Sequence, residues 1–387
     1  MSHNALDLRA LGPREDLPAQ DAAPQRQETA PPPHDEESWF KRHRKTLLWV
    51  VAVIFFGGAA GAAGWFFAKP APDPVVAQQT PTPTPTPTPA PATKASPLTG
   101  VQVAPALADK PIVSVIVENH AQARPQSGLQ SAGVVYETLA EGGITRFQTF
   151  FLEDKPAVIG PVRSLRPYFV SWGVEFGSPV LHAGGSSEAL NMVGSAGLKG
   201  LNALSIASAA TYRATDRRAP HNLYTSAAKL DPILARYNFT APATFTPSPR
   251  KPDSPPAAPK HPNIHIEYSY NGFQVDYTYD KATNSYARKL AGAPHVDRNT
   301  GKQIMVKNVV IEMTSMAVQD SVGHMRITTV GSGQGWVLRD GEAIPVTWQK
   351  SAHNARTKLI GADGKEVALN AGNTWYSVVP IGKKVTF

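Results

Sequence analysis

PIVSVIVENH, residues 111–120, is the stretch on which the fold class turns. Its β-branched run, Ile112–Glu118, is bounded by Pro111 and a polar Asn119-His120 turn, which predicts a buried strand. Moving outward, Val134–Leu139 and Ile144–Leu152 have the same character and are joined across Glu141-Gly142-Gly143, and a short strand is expected at Ala157–Ile159. Apolar residues at helical spacing follow over Arg163–Phe176, with Ser164 as the expected cap. Val180–Ala183 reads as another strand, Gly184-Gly185-Ser186-Ser187 as the turn into a helix over Glu188–Val193, and Ala227–Tyr237 as an amphipathic helix. This mixture over residues 98–240 predicts a layered α/β domain.

Residues 241–262 are dense in Pro, Ser and Lys and read as a linker. Beyond them, over 263–387, the pattern becomes strands and turns, with strands expected at Ile264–Tyr270, Gln274–Asp280, Ser285–Leu290, Gln303–Glu312, Met325–Thr329, Gly335–Leu338, Ile344–Gln349 and Trp375–Pro380. Asn271-Gly272 and Asp340-Gly341 are two-residue hairpin signals. A smaller, mostly β C-terminal domain is expected.

Upstream, TLLWVVAVIFFGGAAGAAGWFFA, residues 46–68, holds no charge. About 20 apolar residues suffice to cross a hydrocarbon core. Lys41-Arg42-His43-Arg44-Lys45 precedes the run and only Lys69 follows closely, so the positive-inside bias places residues 1–45 in the cytoplasm as a disordered tail. Residues 69–97 carry the Thr-Pro repeat from Thr80 to Pro89, an extended and stiff spacer. The expected address is therefore a single-pass cell-membrane protein with its folded domains extracytoplasmic.

The chain has 387 residues and no cysteine, which excludes disulfides, thiol chemistry and a lipid carried on cysteine. Its formal net charge of +8 is not gathered into a basic block interleaved with aromatics, so nucleic acid is not an expected partner. The membrane and a cell-wall polymer or envelope protein are.

Three glycine-punctuated segments carry charge at expected strand ends, where α/β sites are built. In the first, Glu137 and Glu141 are four apart and Arg146 follows the turn, so the carboxylates are candidates for acid–base work or for neutralisation by the arginine. In the second, Arg163 and Arg166 fall in the expected first turn of a helix, a position that disfavours cations unless an anion is nearby. In the third, His182 precedes Gly184, Gly185 and Ser186, whose tight turn would aim amides at one point. His182 is a candidate base there or a hydrogen-bonded core histidine. A fourth cluster, Arg213–Asn222, includes His221 in a loop. No close metal-ligand spacing appears, and neither metal nor cofactor is expected.

VENHAQARPQSGLQSAGVVYETLAEGGITRF (117–147), IGPVRSLRPYF (159–169), HAGGS (182–186) and RAPHNLYTS (218–226) together resemble the YerB-like family of bacterial envelope proteins, as do GAPHVDRNTG (292–301) and GNTWYSVVP (372–380) near the C-terminus. The resemblance implies an α/β first domain and a smaller β-rich second one, and leaves activity open. Members are typically lipoproteins; this chain has no lipobox cysteine and would use a transmembrane anchor instead. Arg124, Glu137, Glu141, Arg146, Arg163, Arg166, His182 and His221 lie in the matching motifs, and their convergence on one cleft is the expectation. The expected function is binding of an anionic or polyhydroxylated wall ligand there. A wall-glycan hydrolase or transferase using Glu137, Glu141 and His182 is the first alternative, and a membrane-protein scaffold the second.

Overall fold

The computed structural model describes residues 92–242 and 244–387. The expected tail, the span at 46–68 and the spacer up to residue 91 lie outside the described residues. Among the described residues no helix is long and apolar enough to cross a membrane.

A ten-stranded mixed sheet organises the molecule. Its strands are β1 (Val113–Glu118), β2 (Val134–Leu139), β3 (Thr145–Phe151), β4 (Val180–His182) and β5 (Gly200–Asn202) from before the proline-rich stretch. After three strands of a second sheet, β6 (Asn263–Glu267), β7 (Gln274–Asp280) and β8 (Ser285–Leu290), the large sheet resumes with β9 (Asn308–Thr314), β10 (Gly331–Arg339), β11 (Glu342–Lys350), β12 (Lys358–Ile360) and β13 (Thr374–Pro380). The spatial order is β12-β11-β10-β9-β13-β2-β3-β1-β4-β5. β13 lies between β9 and β2, parallel to both, and its Ser377 sits opposite Glu137. The sheet therefore crosses the expected linker without a break.

The layering expected for residues 98–240 is present, but the described chain is mostly β. Helices α1 (Pro167–Glu175) and α2 (Ser187–Ser195) cover one face of the large sheet. There Tyr168, Phe169 and Trp172 pack with Ile116, Tyr136, Phe150 and Val378. The second sheet, six-stranded and including β6, β7, β8 and the C-terminal Val385–Thr386, covers the other face with helix α3 (Ala227–Arg236). Ile264, Ile266, Val275, Tyr277 and Tyr286 meet Val115, Val117, Phe147 and Trp375 in that layer. The interior is thus closed by apolar burial on both faces, at roughly 25 cal/mol per Å² removed from water.

Three local expectations are corrected. The helix expected from Arg163 begins at Pro167, with Arg166 as its N-cap rather than Ser164. A residue before proline is driven to extended backbone, and Arg166 has φ −135° and ψ 159°. Ala157–Ile159 forms no strand beyond an isolated bridge of Ile159 to Thr225. Asn271-Gly272 does turn the chain, the Phe273 amide donating to the Tyr270 carbonyl at 2.9 Å, but within the longer connection 268–273 between the paired Glu267 and Gln274 rather than as a two-residue hairpin. Two other local signals hold: Ser186 caps α2 by accepting from the Ala189 amide at 3.3 Å, and Asp340-Gly341 turns β10 into β11 with both φ positive, 51° and 68°.

Strands β1, β2, β4, β5, β9, β11 and β13 run one way. Their C-terminal ends share one edge of the sheet, which carries Glu118, Leu139, His182, Asn202, Thr314 and Pro380. The first described residues lie at the other end: Lys94–Ala95, expected to belong to the spacer, pair with Gln102–Val103, and the Gly372 amide donates to the Thr99 carbonyl at 2.9 Å just before β13 starts.

Candidate functional site

Glu118 closes β1 at the C-terminal edge, 3% exposed. Its Oε1 lies 3.0 Å from Arg163 Nε and 3.0 Å from His221 Nδ1, while Oε2 is buried with no hydrogen-bond partner among the described residues. Two crossing segments make this possible. Residues 161–165 run over the strand ends, with the Glu118 amide donating to the Pro161 carbonyl at 2.9 Å and the Arg163 amide to the Ile116 carbonyl at 2.8 Å. Extended backbone there, not a helical turn, aims Arg163 at Glu118. The loop carrying His221 is tied down by Arg217, which donates to the carbonyls of Ala123 and Pro125, and by Arg213 on Asn222 Oδ1 at 2.7 Å. The His120 ring stacks on His221, centroids 4.6 Å apart.

Beside it, Arg146 is the cross-strand partner of Glu118 and donates to the Ser164 carbonyl at 3.1 Å. It also lies 3.0 Å from Glu141, which pairs with Arg166 as well. Burial works against the ionised Glu141 carboxyl, but the Arg166 hydrogen bond and the charges of Arg146 and Arg166 outweigh it and bring the group down to about 2. Glu141 is a neutralised structural anion.

Glu137 is on the other face. It is fully buried and accepts from Arg288 at 2.6 Å, Trp375 Nε1 at 3.0 Å and Thr145 at 2.9 Å. Arg288 also donates to His295 Nδ1. A guanidinium only donates, so Nε2 carries the His295 proton and gives it to Gln126 Oε1 at 2.9 Å. Burial, then the charges of Arg288 and Arg124, hold the His295 pKa well below its ordinary value. Gln126 in turn donates to Asn119 Oδ1 at 2.8 Å, which also receives Arg124 Nε at 3.0 Å. Arg124 belongs to this network and reaches the Gly272 carbonyl at 3.0 Å.

His182 ends β4 and is 1% exposed. Its Nδ1 donates to the Gly184 carbonyl at 2.8 Å, and burial lowers its pKa despite that bond. The neighbouring groups are already engaged: the Gly184 amide donates to Asn202 Oδ1 at 3.0 Å, the Ser186 amide to the Leu165 carbonyl at 3.3 Å, and the Ser186 hydroxyl caps α2. Gly185 packs beneath Leu165 and Leu190.

The candidates therefore divide. Arg163 and His221 meet at Glu118, with Glu141, Arg146 and Arg166 adjoining; Glu137 and Arg124 lie in the buried network beneath the second sheet; His182, Gly184, Gly185 and Ser186 support the neighbouring strand end. Sequence reasoning missed Glu118, a carboxylate ending a buried run of Val, Ile and Ser, which was a usable signal. It also missed His120, Arg288 and His295, whose roles depend on long-range contacts. Among the described residues no group of three or more His, Asp or Glu is arranged to hold a metal ion. A cavity of about 910 Å³ lies at the opposite end, lined by Lys94, Arg250 and Lys251, away from this chemistry.

Residues 98–240 match the family described as "Protein of unknown function (DUF3048) N-terminal domain", and residues 264–376 match its C-terminal domain. The chain is 34% identical over 292 residues to the "Putative lipoprotein YerB" of Bacillus subtilis (strain 168), covering 74% of this chain and 86% of that protein. The crystal structure of the YerB protein from Bacillus subtilis is similar with a TM-score of 0.69 and 31% identity, covering 76% of this chain and 100% of that one.

Proposed function

Because the chain belongs to the DUF3048 family, we infer that it is an extracytoplasmic envelope protein that binds an anionic wall ligand at the strand-end face around Arg163. The observation that carries this is the state of Arg163. Its Nε is ion-paired with Glu118 at 3.0 Å, and among the described residues none of its side-chain nitrogens has a hydrogen-bond partner. A guanidinium held in place with its fork unoccupied is suited to a phosphate or carboxylate. Arg217, in the loop that carries His221, adds positive charge that no carboxylate pairs among the described residues, since its bonds go to backbone carbonyls. Glu118, shared between Arg163 and His221, does not cancel this excess.

Placement agrees. The relative's name describes a lipoprotein, and with no cysteine to carry a lipid the apolar run at 46–68 is the anchor of this reading, with the N-terminus cytoplasmic. The first described residues enter the fold at the end of the sheet opposite Arg163.

A hydrolase reading has one observation in its favour, the Glu118–His221 pair, in which a buried carboxylate orients an imidazole as it would a general base. Glu137 and Glu141 do not support it, being closed off by Arg288 and by Arg146 and Arg166.

The test is binding of the compact unit from Pro87 to Phe387 to poly(glycerol phosphate) and to purified wall glycan, with released products followed in parallel. Binding weakened about tenfold or more by Arg163→Ala, a loss of about 1.4 kcal/mol, is expected. Equal binding by wild type and Arg163→Ala would sink the reading, and product release lost in His221→Ala would establish the hydrolase.

A further inference from the structure

The same edge of the large sheet carries a second recess. A groove of about 430 Å³ opens where β9 ends at Thr314, β10 begins and β13 runs on into Ile381. Two indoles line it. Trp348 is buried and committed, its Nε1 donating to the Met313 carbonyl at 2.9 Å. Gly333 lets that ring lie against the strand, since a Cβ there would sit 2.6 Å from Trp348 Nε1. Trp336 is only half-buried, and its Nε1 has no hydrogen-bond partner among the described residues. Nor do the side chains of Ser315, Ser332, Gln334 and Lys383, all exposed at the groove. No carboxylate side chain lines it.

A ligand for this groove needs an apolar face for an indole and hydrogen-bonding groups closely spaced around its edge. A pyranose ring has both, with axial C–H bonds on its faces and hydroxyl or acetamido groups around its rim. A lipid tail would leave the donors unpaired, and a phosphate-rich chain would meet Lys383 alone. The volume falls within the range of small-molecule sites. We propose that this groove is a subsite for a short stretch of neutral glycan. The proposal deepens the wall-ligand reading and rests on it for the source of the glycan; the Arg163 cluster would take the anionic substituents of the same polymer along the same edge.

The experiment titrates chitotetraose, which carries no anion, into the full-length chain in a detergent without a sugar headgroup, following heat and tryptophan fluorescence. Trp336→Ala and the exposed Gln334→Ala are each expected to weaken binding at least about tenfold, a change of about 1.4 kcal/mol, while Arg163→Ala leaves it within about twofold. Gln334→Ala keeps the test valid if Trp336→Ala unfolds the strand. No chitotetraose binding by the folded wild type, or binding untouched by both groove substitutions, overturns the proposal. So does saturation of the groove by a (Thr-Pro)5 peptide with chitotetraose ignored, because aromatic grooves also take polyproline helices. Loss of poly(glycerol phosphate) binding is scored separately with Arg163→Ala, so the two readings fail independently.

Discussion

Arg288 of the second sheet places Nη2 2.6 Å from Glu137 Oε2 of the large sheet, with both side chains fully buried. The guanidinium also lies over the Trp375 ring, 4.4 Å from its centroid. Strands from either side of the proline-rich stretch are thus joined by a buried ion pair as well as by shared backbone pairing. Removing one partner strands a charge, and Arg288→Met or Glu137→Leu alone should cost about 3–5 kcal/mol. The double variant should lie much closer to wild type, because no uncompensated charge remains. Denaturant unfolding of the four proteins checks this; additive losses would show that the two residues act independently.

Much of the strand pattern was legible, because buried β-branched runs and two-residue turns are local signals: Gln274–Asp280 and Ser285–Leu290 have the expected bounds. The union of the two segments in one sheet was not. The parallel pairing of Thr374–Pro380 with Val134–Leu139 joins residues far apart in sequence and leaves no periodicity to read. The site fared likewise. Arg163 was found through its glycine-proline turn, but the carboxylate that positions it, Glu118, was read as strand, and the acids singled out, Glu137 and Glu141, have arginine partners already.

Acid should remove the contribution of Glu141. Its carboxyl is brought from 4.5 to about 2 in the folded chain, so its stabilisation is fully present above about pH 4.5 and is lost as pH falls toward 2. At about 1.36 kcal/mol per unit, with the side chain 21% exposed, the loss should reach about 2–3 kcal/mol. Glu141→Gln should be less stable at neutral pH and show a flatter acid limb in urea unfolding. Parallel limbs for the two proteins would refute the assignment.

Glu312 should act in the opposite sense. It is buried near the Glu175–Lys350 ion pair, with Tyr136 and Tyr376 adjacent and its Oε1 without a hydrogen-bond partner among the described residues. Burial, reinforced by the charge of Glu175 and opposed by that of Lys350, raises it to about 8. A raised folded pKa means that the unfolded chain ionises first, so stability falls as pH rises from about 4.5 to about 8 and is flat beyond. Glu312→Gln should abolish that slope and be more stable than wild type at pH 8 by a few kcal/mol, at about 1.36 kcal/mol per unit. Thermal unfolding between pH 5 and 8.5 decides it, and a wild-type slope of the other sign would be inconsistent with a neutral buried carboxyl.

Gly335 ties the groove to the sheet. It pairs with Glu312 on one side and Val346 on the other, and a Cβ there would collide with the Ile311 carbonyl oxygen, a backbone atom that cannot swing aside. Gly335→Ala must therefore push β10 away from β9 and strain their ladder, at about 1–3 kcal/mol as for overpacked cores. Trp336, next along β10, would move with it, so chitotetraose affinity should fall while poly(glycerol phosphate) binding at Arg163, on the far side of β13, β2 and β3, stays unchanged. Gly364→Ala, with nothing within 4 Å of its Cβ but a φ of 75°, separates the two causes: it carries backbone strain without the clash, and should lower stability without altering glycan affinity. Equal effects of the two substitutions on affinity would mean that the groove does not depend on the close approach of β9 and β10.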